Sequence, residues 1–181
     1  MPELGRTALV IPVPEADPAL AAVGTRYPRL ARPGLPAHLT VLYPWLPAAY
    51  VDDRARRSCA ALAATAEPAE AEFREIGVHP GMVFLRPADP GPVDRLIAGA
   101  RTRWPELPPY GGKYPDSPAH VSLALGGMSP EEVDGVRDLV GPMLPITSRL
   151  AELWLVALGP DGWLATDRWP LGVLQDTAER R

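Results

Sequence analysis

The sequence predicts a mixed α/β (α+β) domain built from two similar lobes, and three observations carry that expectation. Strand-like apolar runs alternate with helix-like segments along the chain. The order of those elements occurs twice. Each copy also holds a short motif of the same form, Pro36-Ala37-His38-Leu39-Thr40-Val41 in the first and Pro118-Ala119-His120-Val121-Ser122-Leu123 in the second. The chain has 181 residues, a length that one compact domain usually holds.

Residues 8–13 read as a strand, stopped by Pro14. Asp17 is expected to cap a helix with Pro18 at its first position, running to about Tyr27 with Leu20 and Val23 on one face. A Pro/Gly loop covers 29–36, and 38–45 is the next strand. The alanine-rich stretch 52–65 favours helix. Residues 71–78 and 82–86 flank His79-Pro80-Gly81 and read as a hairpin, with His79 as a turn residue. A helix over 93–103, a loop, and a strand over 120–125 follow. Ser129-Pro130-Glu131-Glu132 then combines a serine cap, proline at the first position and early acids. It opens a helix to about Met143. Segments 146–158 and 162–169 are expected to form a last hairpin around Gly159-Pro160-Asp161-Gly162, and the polar tail 175–181 to fray.

The repeat is visible in residues as well as in pattern. Arg26-Tyr27-Pro28 closes the first helix, and Arg103-Trp104-Pro105 closes its counterpart. Tyr27 to Trp104 is 77 residues, whereas His38 to His120 is 82. The second copy is therefore longer before its motif, within 107–115. The expectation is one domain over 1–174, with halves near 8–81 and 82–172 and strand exchange between them. Half a chain of this size would bury surface poorly alone.

Composition narrows the function. Charged residues are 22% and apolar residues 46%, as in soluble globular proteins. The net charge of −4 argues against coating long nucleic acid by phosphate neutralisation. A small nucleotide or an RNA end remains compatible. No apolar run approaches membrane-spanning length, so no membrane association is expected, and the short run after Arg6 lacks a signal-peptide core. A cytoplasmic monomer is expected. The single cysteine, Cys59, allows no internal disulfide and reads as a small core residue. Arg54, Arg56 and Arg57 read as a solvated helix face.

Alternate residues of a strand share a face. His38 and Thr40 therefore point one way and Leu39 and Val41 the other, and His120 and Ser122 are opposed to Val121 and Leu123 in the same manner. Ser and Thr together are 13 of 181 residues, so two of three histidines followed by one at the second position is not expected by chance. Two facing motifs would gather two imidazoles and two hydroxyls. That set suits phosphodiester cleavage: one neutral imidazole as base, one imidazolium as acid, both near neutrality, and hydroxyls donating to the phosphate oxygens. A metal held by His38 and His120 would need further ligands, and no His or Cys cluster has metal spacing. No cofactor is expected.

With Pro36–Pro44 reading Pro-Ala-His-Leu-Thr-Val-Leu-Tyr-Pro and Pro118–Ala124 reading Pro-Ala-His-Val-Ser-Leu-Ala, the chain resembles the two-histidine (2H) phosphoesterases. The branch of 2′-5′ RNA ligases and cyclic nucleotide phosphodiesterases is the nearest likeness. The resemblance implies a bilobal, pseudo-twofold pair of antiparallel-rich sheets with outer helices and a central cleft. It implies His38 and His120 as catalytic residues and Thr40 and Ser122 as phosphate-binding ones. It also implies hydrolysis of a 2′,3′-cyclic phosphate on a nucleotide or RNA terminus to a 2′-phosphate. The alternatives are cleavage or joining of 2′-5′ bonds by the same histidines, a related ester such as ADP-ribose 1″,2″-cyclic phosphate, and a binding module without turnover. Tyr43, Trp45, Lys113 and Tyr114 are the candidate substrate contacts, because an aromatic ring at a cleft mouth stacks a base.

Overall fold

The computed structural model describes residues 4–32, 34–114 and 117–173. The terminal segment 175–181, expected to fray, lies outside them. The element order is β1 (Thr7–Pro12), α1 (Asp17–Arg26), β2 (His38–Leu42), α2 (Asp53–Ala63), β3 (Ala69–His79), β4 (Met82–Pro87), α3 (Gly91–Arg103), β5 (Val121–Leu125), α4 (Pro130–Val140), β6 (Ile146–Leu150), β7 (Glu152–Gly159) and β8 (Gly162–Pro170).

All eight strands form one sheet in the order β6-β3-β4-β5-β2-β1-β7-β8. Every pairing is antiparallel. The order is symmetric about the β2–β5 contact, where Leu39 is paired with Val121. Outward from it run β2-β1-β7-β8 on one side and β5-β4-β3-β6 on the other. Strand β3 follows α2 in the chain but pairs with β4, and β7 returns from the second half to pair with β1. Each four-stranded wing is thus completed by strands from both halves of the sequence.

The last expected hairpin forms between β7 and β8, but its first strand is shorter than expected. The apolar periodicity runs through 146–158 without a turn signal, so it reads as one long strand. In the structure it breaks at Ala151: β6 pairs with β3, and β7 with β1. Two consecutive peptide units reach only about 7 Å. One residue therefore joins strands near opposite ends of the order, and the sheet is curled.

Helix boundaries follow local chemistry. Asp52 caps α2 by accepting from the Ala55 amide (2.7 Å). Ser129 caps α4 in a reciprocal capping box with Glu132. Asp17 departs from expectation. Helix α1 is entered through a 3₁₀ turn at Pro14–Ala16, with no side-chain cap. The Asp17 carboxylate instead accepts from the Ala37 amide at 2.6 Å, just before β2.

The main core lies between the sheet and its helices. Leu39, Val41, Val121, Leu123, Leu85 and Phe73 are all buried there. Full burial of each such side chain is worth about 1.5–3 kcal/mol. Helix α3 packs on β2 and α1 on β5. The other face of the sheet carries a small cluster of Ala8, Val10 and Val156, flanked by Tyr43, Trp154 and Trp163. No helix among the described residues is long and apolar enough to cross a membrane.

Candidate active site

The burial pattern of β2 alternates from His38, with Leu39 and Val41 buried and His38 and Thr40 only partly so. In β5, Val121 and Leu123 are buried while Ser122 is partly exposed. The apolar residues face the helices, which leaves both motifs on the helix-free face. Extending the Leu39–Val121 register by one residue each way sets His38 across from Ser122 and Thr40 across from His120. The histidines stand on a diagonal, where ladder neighbours lie about 7–8 Å apart and their Cβ atoms somewhat closer. A pseudo-twofold axis passes between them.

The rings are held in matching ways. His38 Nδ1 lies 2.7 Å from the Pro36 carbonyl oxygen, and His120 Nδ1 lies 2.8 Å from that of Pro118. A carbonyl only accepts, so each Nδ1 carries the hydrogen and each Nε2 is the nitrogen available to a substrate. Burial lowers both pKa values below the ordinary imidazole value. For His38 the Pro36 carbonyl opposes the shift, neighbouring His120 adds to it, and the Asp17 carboxylate opposes it more weakly. The His120 ring meets Phe84 edge-on at 5.5 Å.

The hydroxyls have different neighbours. Thr40 shares a pocket wall with Tyr110. Ser122 Oγ lies 3.8 Å from the Met82 sulfur, a weak acceptor. Tyr110 belongs to the extra length of the second repeat, and its amide donates to the Tyr43 carbonyl at 2.6 Å. Its ring lies between Tyr43 and Tyr114, with centroids at 6.2 and 5.9 Å. A narrow pocket of about 20 Å³ opens here, walled by Thr40, Tyr110, Tyr114, Arg101 and His120. A wider hollow of about 760 Å³ adjoins it and shares Tyr43, Tyr110 and Tyr114.

The other expected contacts divide. Tyr43 lines both spaces. Tyr114 is 48% exposed and also lines both. Lys113 is exposed, with its ammonium 5.3 Å from the Tyr114 ring centroid. Trp45 borders the wider hollow, but it is only 3% exposed and its ring packs edge-on against Trp104 at 5.3 Å in the main core. Cys59 is buried, and burial pushes its thiol well above the ordinary range. Among the described residues, no three His, Cys, Asp or Glu side chains gather as a metal site would require.

Against known proteins, the sequence profile described as the 2′-5′ RNA ligase superfamily matches residues 12–158. The chain belongs to this superfamily. The two-histidine likeness of its motifs and its mixed α/β fold agree with that membership. The fold is similar to that of E. coli LigT, whose apo structure has a TM-score of 0.60 at 17% identity and covers 95% of this chain and 100% of that one. The Thermus thermophilus protein TT0787 gives 0.59 at 20% identity, over 92% and 98%. LigT complexed with 3′-AMP gives 0.59 at 16%, over 94% and 100%. Among curated proteins, none matches by sequence.

Phe84 is the site neighbour that sequence reasoning did not single out. It carried no signal, since its contact with His120 arises from the pairing of β4 with β5.

Proposed function

We propose that this superfamily member is a metal-independent phosphodiesterase that hydrolyses a 2′,3′-cyclic phosphate on a nucleotide or RNA terminus. The observation that carries the reading is the mirrored pair of Nδ1–carbonyl hydrogen bonds, which leaves two Nε2 atoms for one phosphate. One neutral imidazole takes a proton from water as its oxygen attacks phosphorus. The other, as imidazolium, gives a proton to the departing 3′-oxygen. The P–O3′ bond breaks, and a 2′-phosphate remains. Thr40 and Ser122 donate hydrogen bonds to the non-bridging oxygens, where charge builds up.

The pocket beside His120 is too small for a nucleoside, since ligand sites occupy about 300–1,000 Å³. The adjoining hollow has that room, and its tyrosines support stacking of the base. Tyr43 and Tyr114 are the stacking residues in this reading, with Lys113 near the rim. Nucleotides in the solved LigT complexes, 3′-AMP, ATP and NADP+, are consistent with such a ligand.

The superfamily description favours a second reading, the joining of RNA ends. If a 5′-hydroxyl replaces water as nucleophile, the same two proton transfers form a 2′-5′ bond. A panel of 2′,3′-cyclic nucleotides and 2′-5′ dinucleotides, assayed with EDTA and product analysis, separates these outcomes. Release of a 2′-phosphate supports hydrolysis. Turnover that stops with EDTA contradicts metal independence. Tight binding without turnover on any member would make the chain a binding module.

A further inference from the structure

We propose that Arg168, stacked on Trp154, forms a second subsite on the first wing. It holds the nucleotide on the 5′ side of the reacting one, so that the preferred substrate is an RNA end and not a free cyclic nucleotide. The inference rests on the phosphodiesterase reading and names which member of its substrate class the site prefers.

The sheet register carries the placement. Thr40 is paired with Val10, Val10 with Trp154, and Trp154 with Arg168. Leu153 and Leu155 enter the main core, so Trp154 between them lies on the helix-free face, where it packs against the cluster of Ala8, Val10 and Val156. One cross-strand row therefore runs from the first motif to the edge strand β8. Adjacent strands are about 4.8 Å apart, which sets Trp154 about 10 Å and Arg168 about 14 Å from Thr40 along the sheet. A ribose that bears the cyclic phosphate, with its base among Tyr43 and Tyr114, does not extend that far. The next nucleotide of a chain does.

The pair is suited to meet a base and a phosphate. Arg168 Cζ lies 4.1 Å from the centroid of the Trp154 ring, so the guanidinium sits over the indole. The indole is fixed in turn, because its Nε1–H donates to Glu152 Oε2 at 2.7 Å. Trp154 is half-buried and Arg168 is exposed, which leaves the outer side of the guanidinium to solvent. A guanidinium plane stacks an unpaired base, and its N–H edge donates to a phosphate oxygen. Val10, between Thr40 and this pair, is buried in an apolar cluster that Leu35 flanks, so the intervening surface is apolar. The charge complement of the backbone phosphate stands beyond it, at Arg168.

The test compares a 2′,3′-cyclic mononucleotide with a 3′-5′ dinucleotide ending in the same cyclic phosphate. Stacking of the added base predicts a kcat/KM about 5- to 100-fold higher for the dinucleotide. Arg168→Ala should remove most of that preference. Arg168→Lys should restore little of it, because an ammonium offers no plane. Arg149→Ala, on the opposite edge strand β6, removes an equal charge and should retain the preference. No preference in the unaltered chain, a preference untouched by Arg168→Ala, or an equal loss in Arg149→Ala overturns the inference. If the unaltered chain turns over no cyclic phosphate or 2′-5′ dinucleotide, the functional reading fails by itself. Calorimetry with a 3′-phosphorylated mononucleotide and a 3′-phosphorylated dinucleotide then decides the inference. Tighter binding of the dinucleotide that is lost in Arg168→Ala supports it. Equal binding of the two, or an advantage that Arg168→Ala keeps, overturns it.

Discussion

The two wings of the sheet carry nearly the same motif in unequal surroundings. In the first, Thr40 shares a pocket wall with Tyr110 and His38 has the Asp17 carboxylate nearby. In the second, Ser122 faces the Met82 sulfur and His120 meets the edge of Phe84. The imidazole anchors are nearly identical in the two wings, at 2.7 and 2.8 Å. What the duplication holds constant is the direction of the histidines. What it lets drift is the neighbourhood of the hydroxyls. Attack and departure at phosphorus are different events, so a two-sided site has no need of identical sides. The paired acid and base must nonetheless face one atom.

The largest expected effect comes from the shared feature. His38→Ala and His120→Ala should each lower kcat/KM for a cyclic phosphate by about 10²–10⁴-fold, with fold intact by circular dichroism. Similar losses from both would confirm that the wings are equal in this respect. A loss confined to one would mean a single-histidine mechanism.

The hydroxyls should then separate the wings. Thr40→Val is expected to reduce kcat by about 10²-fold, like removal of an oxyanion donor. Ser122→Ala should cost about 10-fold. Steady-state kinetics on both variants checks the ranking, and the reverse order would break the comparison.

The pH response follows from the shared burial. Both imidazoles have pKa values below 6.5, so near neutrality both are mostly neutral, whereas the reaction needs one proton on the pair. The kcat/KM profile should be a bell centred on the acid side of 6.5. Sulfate, which does not titrate here, should bind more tightly as pH falls from about 8 to about 6, because the anion draws a proton onto a histidine. Calorimetry in buffers of different ionisation heat would register that uptake. For stability, a lowered histidine pKa contributes a term that is present above 6.5 and lost as pH falls through the folded-state value.

A smaller effect tests the second wing alone. A Cβ on Gly77 would lie 2.3 Å from the Phe84 ring. Gly77→Ala should therefore destabilise the fold by about 1–3 kcal/mol through overpacking, and Phe84 should be pushed toward His120. Lower turnover together with a lower melting temperature is expected. Smallest is Ser129→Ala, which removes the capping box of α4. It should lower stability by about 1 kcal/mol and leave turnover unchanged.

The motifs were legible because strand alternation fixes which residues share a face, and a repeated histidine–hydroxyl pair stands out against sparse hydroxyls. The repeated element order was legible in its helix ends. Three features were not. The break at Ala151 carries no turn residue, and only pairing with β3 on one side and β1 on the other reveals it. The inward turn of Trp45 depends on the packing partner Trp104, far away in sequence. Asp17 looks like a helix cap because caps are read locally, but its carboxylate serves a loop 20 residues further on. The backbone of Tyr110 belongs with these, since a tyrosine at φ 54° is decided by its tertiary neighbours and not by propensity.

The central claim is that both imidazoles work on one phosphorus atom. The most direct test is cyclic-phosphate turnover by the unaltered chain, His38→Ala, His120→Ala and the double variant, all in EDTA. Groups acting as a unit are strongly non-additive, so the double variant should be about as slow as either single one. A double variant slowed by the product of the two single effects, or a single variant that keeps the full rate, would contradict the account.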